Sequence, residues 1–472
     1  MRNLIFFLIL AFLFQSCKQS KPRLFESKDL VLATGIPIGD LEPYSSREGI
    51  GSNLVDLLYR PLFRLTSHGQ IIPDFAREVV WNERSNTLKV VLKAPKADDV
   101  KKSIEKAKSL IGGGFYEALV NLETIEIISP HELNFKLKKF DRAFLSIVEH
   151  LPIILFSEDI KTSGEFEIET VKDDEVSLVR KVKSVRTVNK VIVKVISSPR
   201  RAMRELVAGN VDVVILASRG DYEILKDNPE IKFGEMLTNI VYLILENRNH
   251  RPKAEYINWA HVSRLIDRKS IISSLGKESV APADAPDPLY KNEVDENGIN
   301  LEVGNLSKKR MLSLLGEQSR DVLIGRVLKR RFQEIGIELS LLPHDSKSFG
   351  REVIFNKNFD LVLLPINIKD PIVTNFLAFH TPNGPNSLNY SGYSNEKVDK
   401  LLEEARYSQD EELARESYQK AMKAIRDDPP GLFLFWLKIP IVYRQSCTGF
   451  KFSSNEFFSS LKDVRCEPSA VN

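Results

Sequence analysis

The side chains best suited to chemistry are dispersed along the chain and do not stand in the spacings that catalytic sites need. The chain has 472 residues with 7 histidines, and no two histidines stand at the spacing of a metal-ligand pair. The sequence also lacks the G-x-S-x-G, H-E-x-x-H, P-loop and C-x-x-C patterns. We therefore expect a protein that is not an enzyme and that needs no metal or cofactor.

A polar segment in the last quarter of the chain offers hydrogen-bonding groups to a ligand. Asn386, Asn389 and Tyr390 stand in a loop-like stretch, and His380 precedes the turn-rich run Thr381-Pro382-Asn383-Gly384. The alternatives are an ordinary turn capped by asparagine side chains and a half-buried structural histidine. We predict these four residues as candidate ligand contacts.

An aromatic residue near the C-terminus is a further candidate. Trp436 follows Phe433-Leu434-Phe435 and could offer a stacking surface to a sugar ring or a ligand side chain. The alternative is that the whole aromatic run packs in the core.

The N-terminus has the pattern of an export signal. Arg2 is followed by the apolar stretch Leu4–Phe14, which suits a signal peptide and is too short to span a bilayer. Ser16 directly before Cys17 resembles the bacterial lipobox, at which diacylglycerol is attached to the cysteine. We expect a signal peptide over residues 1–16 and a lipid on Cys17. The alternative is an ordinary secretory signal with an incidental cysteine.

The remaining cysteines agree with export. Besides Cys17 the chain has only Cys447 and Cys466, which could form a disulfide in an oxidising compartment. The alternative is a pair of buried, unpaired thiols. The polar and basic stretch over 17–29 is expected to be a lipidated tether.

The composition is that of an ordinary globular protein. Hydrophobic residues make up 43% and charged residues 28% of the chain, and the formal net charge is only +3. Such a weak net charge gives no reason to expect a nucleic-acid partner. The length allows two or three subdomains.

Apolar periodicity alternates between strand and helix patterns and predicts an α/β protein. The predicted strands cover 30–33, 87–92, 122–128, 132–137, three runs within 166–196, 211–216, 338–342, 359–364, 432–435 and 439–443. The predicted helices cover 52–63, 98–110, 200–207, 260–275, 320–335 and a pair within 397–425.

Taken in order, these segments resemble the extracellular solute-binding proteins of family 5, the peptide- and nickel-type receptors of ABC importers. Each matching motif is short, and their order and spacing carry the resemblance. The segments are Leu41-Glu42-Pro43, Tyr59-Arg60-Pro61-Leu62-Phe63, Ala97-Asp98-Asp99-Val100, Gly164-Glu165-Phe166, Ala208-Gly209-Asn210-Val211-Asp212, Ile266-Asp267-Arg268, Asp370-Pro371 and Tyr390-Ser391-Gly392-Tyr393-Ser394-Asn395.

The resemblance implies a two-lobed, periplasmic-binding-protein-like fold with mixed sheets, an extra subdomain and a hinge that closes on the ligand. Lobe I would cover 30–245 with the inserted subdomain at about 50–150, and lobe II would cover 246–431. Residues 432–472 would return to lobe I.

One departure from the family bears on the ligand. Peptide receptors of this family commonly carry an aspartate shortly before the late Asp-Pro, and its charge holds the α-ammonium group of the peptide. Here that position is Asn367, and Lys369 next to Asp370 would repel an ammonium group. We therefore expect a neutral or acidic ligand, or another mode of peptide capture, with Asn367 and Asp370 among the contacts.

Two functions remain open from the sequence. The first is a monomeric lipoprotein on the periplasmic or cell-surface face of a membrane, which captures an oligopeptide-like or other small solute for an ABC permease. The second is a lipoprotein of the same fold with no transport role, which acts as an interaction or chaperone-like surface protein.

Overall fold

The structure is a computed structural model that describes most of the chain after the N-terminal segment. The described residues are 29–44, 51–65, 71–110, 115–116, 119–156, 162–215, 222–223, 225–249, 252–275, 280–287, 308–316, 319–368, 371–382, 387–453 and 456–467. The predicted signal peptide, Cys17, Asp370 and Asn386 lie outside these ranges.

The strands of the described residues run through the whole chain. They are β1 Leu30–Thr34, β2 Phe63–Leu65, β3 Ile71–Pro73, β4 Ala76–Asn82, β5 Thr87–Leu92, β6 Leu122–Ser129, β7 Glu132–Leu137, β8 Phe166–Val171, β9 Glu175–Arg180, β10 Lys190–Val195, β11 Val213–Ile215, β12 Ile231–Glu246, β13 Val280–Pro282, β14 Lys308–Leu315, β15 Ile337–His344, β16 Leu361–Asn367, β17 Gly431–Arg444, β18 Cys447–Thr448 and β19 Arg465–Cys466.

The helices alternate with these strands. They are α1 Gly51–Leu58, α2 Ala97–Ser109, α3 Arg142–His150, α4 Pro199–Val207, α5 Trp259–Leu265, α6 Arg268–Leu275, α7 Ser319–Glu334, α8 Ser346–Ser348, α9 Pro371–Phe379, α10 Glu396–Tyr407, α11 Glu411–Asp427 and α12 Phe457–Ser460. A π-helix, Phe349–Phe355, continues α8, and 3-10 turns lie at Lys253–Glu255 and Leu461–Asp463.

One large mixed sheet organises the described residues. Its strand order is β15-β14-β16-β12-β17-β11-β1-β10-β9-β8, and β13 also pairs with β17. β1 runs parallel to both β10 and β11, and β14 runs parallel to both β15 and β16. The long antiparallel pair β12 and β17 lies between these two parallel groups.

Both groups of strands are covered on two faces, as the alternation of their side chains shows. Leu30 and Leu32 lie in one core while Ala33 lies in another. Tyr242 and Leu243 are likewise divided between two further cores. Because successive strand residues point to opposite faces, apolar residues at consecutive positions require cover on both sides. The sheet therefore supports two separate pairs of cores, which are the two lobes.

The chain passes between the lobes along β12 and β17. Their regular pairing runs from Ile231 to Leu237, breaks, and resumes at Val241. Met236 packs in a lobe I core and Val241 in a lobe II core, so the break in register coincides with the change of lobe. The predicted lobe boundaries are 245/246 and 431/432. In the structure these positions lie at the lobe II ends of β12 and β17, several residues from the break.

A separate subdomain stands beside lobe I. Its sheet has the order β4-β5-β7-β6, and α2 and α3 pack with that sheet around a core formed mostly by residues between 44 and 154. The hairpin of β6 and β7 is the one predicted around Ser129-Pro130, with Ser129 paired to Glu132.

Several elements differ from their predictions. The helix predicted over 260–275 is two helices, Trp259–Leu265 and Arg268–Leu275, because Ile266 is extended and ends the first. The predicted strands 432–435 and 439–443 form one continuous strand, because Pro440 is accommodated opposite Glu235 without ending the pairing. The helix predicted over 52–63 ends at Leu58, since the residue before Pro61 is disfavoured in helical geometry.

No helix among the described residues is both long and apolar enough to cross a bilayer.

Candidate ligand-binding cleft

On the lobe I side, the carboxyl ends of two parallel strands lie next to the crossing strands. Thr34 ends β1 and pairs with Ile215, the last residue of β11. Ile215 in turn pairs with Ile441, a few residues beyond the register break of β17. Ligands of open α/β sheets bind beyond the carboxyl ends of parallel strands. This edge is therefore the lobe I wall of a candidate cleft.

On the lobe II side, the end of β16 reaches the same region. β14 pairs with β16 only at Leu361 and Val362, and β14 ends at Leu315, so the last residues of β16 run past it. Asn367 pairs on its inner side with Ile240, within the register break. Among the described residues, no strand pairs with the outer edge of this end. Asn367 is exposed there, so its side chain is accessible to a ligand.

The charged groups nearest the break neutralise each other. The Lys438 ammonium group lies 3.1 Å from a carboxylate oxygen of Glu235, and both side chains are partly buried. Thr238 donates a hydrogen bond of 2.8 Å to the carbonyl oxygen of Leu437. These bonds connect β12 and β17 just where their regular pairing is lost.

His380 is held inside lobe II. Its side chain is 10% exposed, Nε2 lies 3.2 Å from a carboxylate oxygen of Glu403, and Nδ1 lies 2.8 Å from the carbonyl oxygen of Thr381. The imidazole ring stacks on Phe376 with the ring centroids 4.5 Å apart. Both ring nitrogens therefore have intramolecular partners.

Asn389 organises the turn that follows. Its amide nitrogen donates to the carbonyl oxygens of His380 and Tyr393, at 3.0 and 2.7 Å. Its amide oxygen accepts hydrogen bonds from Ser391 and from the backbone N–H of Tyr393, each at 3.0 Å. The residue is fully buried. Its side chain thus holds the backbone of this loop in place.

The neighbouring aromatic residues pack with the same lobe. Tyr390 is half-buried against the lobe II core, and burial raises the pKa of its hydroxyl. Trp436 is buried in that core and pairs across the strands with Val241 and Ala281. The structure therefore brings His380, Asn389, Tyr390 and Trp436 to one side of the crossing strands, with most of their surface turned inward.

The two C-terminal cysteines are bonded to each other. The sulfur atoms of Cys447 and Cys466 are 2.09 Å apart, and the two residues are register partners in the short β18–β19 ribbon. This ribbon packs on the lobe I core, so the disulfide attaches the C-terminal segment to that lobe.

A buried ion pair, which was not predicted from the sequence, joins the subdomain to lobe II. Arg406 donates two hydrogen bonds to Asp141, at 3.0 and 2.9 Å, and the side chains are 3% and 0% exposed. Asp141 also accepts from Asn121 at 2.6 Å and caps the N-terminus of α3 through the N–H of Ala143. No local pattern marks the partners, since they lie 265 positions apart.

Further contacts surround this ion pair. Arg142 donates to the carbonyl oxygens of Ser408 and Gln409, at 2.9 and 3.0 Å. The Lys139 ammonium group lies 3.3 Å from the centre of the Tyr407 ring, and Val373 of α9 packs into the subdomain core. Together these contacts hold the subdomain and lobe II against each other.

Within the described ranges, no group of three or more His, Cys, Asp or Glu side chains is placed to hold a metal ion.

Comparison with known proteins gives a family and a fold. The family model of the bacterial extracellular solute-binding proteins, family 5 Middle, matches residues 93–387. The oligopeptide-binding protein AppA of Bacillus subtilis strain 168 is 22% identical over 288 residues, which is 55% of this chain and 52% of that protein. The chain thus matches about half the length of this curated relative.

Solved structures match over nearly the whole chain. HbpA2 from Haemophilus parasuis superposes with a TM-score of 0.78 at 17% identity, covering 93% of this chain and 100% of that one. NikZ from Campylobacter jejuni, solved in complex with Ni(L-His), gives a TM-score of 0.71 at 19% identity, covering 90% and 96%. At these identities the likeness shows the fold, a two-lobed binding protein.

Proposed function

We propose, on the premise that the chain belongs to the bacterial extracellular solute-binding proteins of family 5, that it is a lipid-anchored receptor which delivers a small solute to an ABC permease. The solute would bind between the lobes and be released when the lobes part about β12 and β17. Such a receptor binds its cargo without changing it chemically.

The observation that carries this proposal is the register break between Leu237 and Val241. It lies where the chain passes from one lobe to the other, and the ends of β1, β11 and β16 surround it. Strand pairing is regular from Ile231 to Leu237, and beyond the break it shifts by one residue between Tyr242 and Leu243. A change in lobe angle can therefore be absorbed by the few residues of the break. Such a short irregular segment suits a hinge.

The open edge at the end of β16 supports an extended ligand. A peptide-like backbone can pair with an unpaired strand edge, and its side chains then occupy neighbouring pockets. Asn367 offers an amide where a carboxylate would be needed to bind an ammonium group, and the Glu235 carboxylate is already paired with Lys438. We infer an oligopeptide-like ligand that is neutral or acidic at the end nearest Asn367.

The disulfide supports the proposal of export, and the predicted lipid on Cys17 supports the proposal of an anchor. Disulfides persist in oxidising compartments outside the cytoplasm, and the Cys447–Cys466 bond agrees with such a location. A lipid on Cys17 would keep the receptor near its permease, with residues 17–29 as the tether. Mass spectrometry of the mature protein tests the anchor, because it should find the chain beginning at an acylated Cys17.

Ligand binding is tested by thermal-shift measurement against pools of neutral, acidic and basic peptides, amino-acid conjugates, sugars and metal complexes. A ligand at one hundred times its Kd stabilises the folded state by about 2.7 kcal/mol. We expect the neutral or acidic peptides to raise the melting temperature, and mass spectrometry of solute released on unfolding to identify the natural ligand. If no pool stabilises a protein shown to be folded, the receptor function is wrong.

That negative outcome would favour the second function, a lipoprotein of this fold without a transport role. The observation in its favour is that the polar side-chain atoms of His380 and Asn389 are hydrogen-bonded to partners within lobe II. A surface protein without a transport role needs no free hydrogen-bonding groups in its cleft. The thermal-shift screen therefore separates the two functions, because only the receptor should be stabilised by a solute.

A further inference from the structure

The turn between β9 and β10 exposes an unusual amount of apolar surface. Val182 is 80% exposed and Val185 is 61% exposed. Among the described large hydrophobic residues, only Phe355 of lobe II is as exposed as these. Two such side chains three positions apart on one turn form a small apolar tip, which we call the valine turn (residues 181–189).

The valine turn is held in shape by its own hydrogen bonds. The Ser184 hydroxyl oxygen accepts from the backbone N–H groups of Arg186 and Thr187, at 3.2 and 3.1 Å. The Asn189 side chain accepts from the N–H of Ser184 at 2.7 Å and donates to its carbonyl oxygen at 2.8 Å. The exposure of the valines is thus a property of a structured turn.

The surface around the two valines is positively charged. Lys183 and Arg186 are exposed, and within the described part of the chain no carboxylate forms an ion pair with either. Lys181 donates a hydrogen bond to the carbonyl oxygen of Thr162. The nearby Glu165 is already bound by two cations of lobe I. Apolar tips flanked by cations are suited to the headgroup region of an anionic bilayer.

The position of the valine turn points to the same partner. β1 runs parallel to β10 with Leu30 opposite Val191, so the two strands begin side by side at the same end. The chain that arrives from Cys17 therefore enters lobe I about 5 Å from the strand that the turn precedes. The candidate cleft lies at the opposite end of these strands, where β1 ends at Thr34.

We propose that the valine turn is a membrane-contact site, which places Val182 and Val185 among the headgroups of an anionic bilayer. Lys183 and Arg186 would then pair with lipid phosphates. The contact rests on the proposed lipid anchor only for bringing the turn to the membrane. It would hold lobe I with the cleft facing away from the bilayer during solute capture, and release of the turn would allow docking to the permease.

The test places a nitroxide label on the turn. With Cys17 acylated and Cys447 bonded to Cys466, Val182→Cys adds a single free thiol for labelling. The matched control is Val171→Cys, which is 55% exposed at the opposite end of the β8–β9 hairpin, where Val171 pairs with Val176. Each labelled protein is reconstituted in vesicles of phosphatidylcholine with phosphatidylglycerol, and collisions with oxygen and with chromium oxalate report depth.

We expect the label at residue 182 to be shielded from chromium oxalate and accessible to oxygen, and the label at residue 171 to remain in water. Replacing Lys183 and Arg186 by Gln should lower the equilibrium constant for membrane contact of the turn about twenty-five-fold, at about fivefold for each cation near an anionic surface. Equal water exposure at 182 and 171 on vesicles that carry the protein would overturn the membrane contact.

Failure of the lipid anchor is seen separately. If mass spectrometry finds no lipid on Cys17, the pair of labels is compared in the Cys17→Ser chain mixed with an excess of the same vesicles at low salt. Shielding at residue 182 alone would then support the contact without the anchor, and equal exposure at both positions would exclude it.

Discussion

At the scale of single residues, the structure divides the candidate ligand contacts by how their polar groups are used. Asn367 is exposed at the end of β16 and has no side-chain partner among the described residues. His380 and Asn389 are buried and bound to their own lobe. The same residue type is thus exposed at 367 and buried at 389, and the tertiary contacts alone decide which of the two amides is accessible.

Replacing Asn389 by Ala should destabilise the protein by about 3 kcal/mol. The change leaves buried N–H and C=O groups of the loop without partners, and each such group costs about 1 to 3 kcal/mol. Urea unfolding measures the effect. The control is Asn356→Ala, at an exposed position, for which we expect a change below about 0.5 kcal/mol. Equal effects of the two substitutions would contradict a structural role of Asn389.

Replacing Asn367 by Asp should favour peptides with a free α-ammonium group. A charge-assisted hydrogen bond is stronger than a neutral one by about 1 kcal/mol, which predicts a fivefold to tenfold gain in affinity. Calorimetry with free and N-acetylated forms of one peptide checks this. A similar gain for both forms, or a gain with the control Asn356→Asp, would argue against Asn367 as the residue that faces the ligand's amino end.

At the scale of elements, the C-terminal segment depends on one covalent bond. The cysteines are separated by 19 positions, and closing a loop of this size contributes about 3 kcal/mol in the chain-entropy model. Short strands such as β18 and β19 cannot hold the segment alone. The disulfide therefore secures α12 and the Leu461–Asp463 turn on lobe I.

Removing this bond with Cys447→Ser and Cys466→Ser should lower the free energy of unfolding by about 3 kcal/mol. The unchanged protein in a reducing agent serves as the matched control, and its urea midpoint should fall by a similar amount. An unaltered midpoint in both would mean that packing of Phe457 and Leu461 suffices to hold the segment.

At the scale of the whole molecule, the Asp141–Arg406 ion pair is one of the contacts that join the subdomain to lobe II. Breaking a buried pair by removing one charge costs about 3 to 5 kcal/mol, because the other charge stays desolvated. Here the protein can avoid much of that cost by parting the subdomain from lobe II, which returns Arg406 to water. The pair thus favours the conformation in which the lobes are together.

Asp141→Asn should therefore open the molecule more than it unfolds it. Asparagine keeps the cap of α3 and removes only the charge. X-ray scattering should show a larger radius of gyration, while the urea midpoint falls by less than the 3 to 5 kcal/mol range implies. The control Glu416→Gln breaks the exposed pair with Lys420 and should leave both quantities unchanged. An unchanged radius for Asp141→Asn would show that other contacts hold the lobes together.

Features that depend on local pattern could be predicted from the sequence. Apolar periodicity and turn residues located most strands and helices to within a few positions, as for the hairpin at Ser129-Pro130. The order of short motifs was enough for the family, which the match over 93–387 confirms. The mixed α/β, two-lobed fold expected from that resemblance is also confirmed. The lipid on Cys17 and the nature of the solute stay predictions.

Features that depend on the pairing of distant residues emerged only from the three-dimensional structure. The strand β12, the register break, the Asp141–Arg406 pair and the position of the valine turn beside the start of β1 went unpredicted. In each case the partners are far apart in the chain, and neither partner carries a pattern that identifies the other. Local periodicity reports which face of an element is apolar, whereas pairing across the fold depends on the packing of all the elements together.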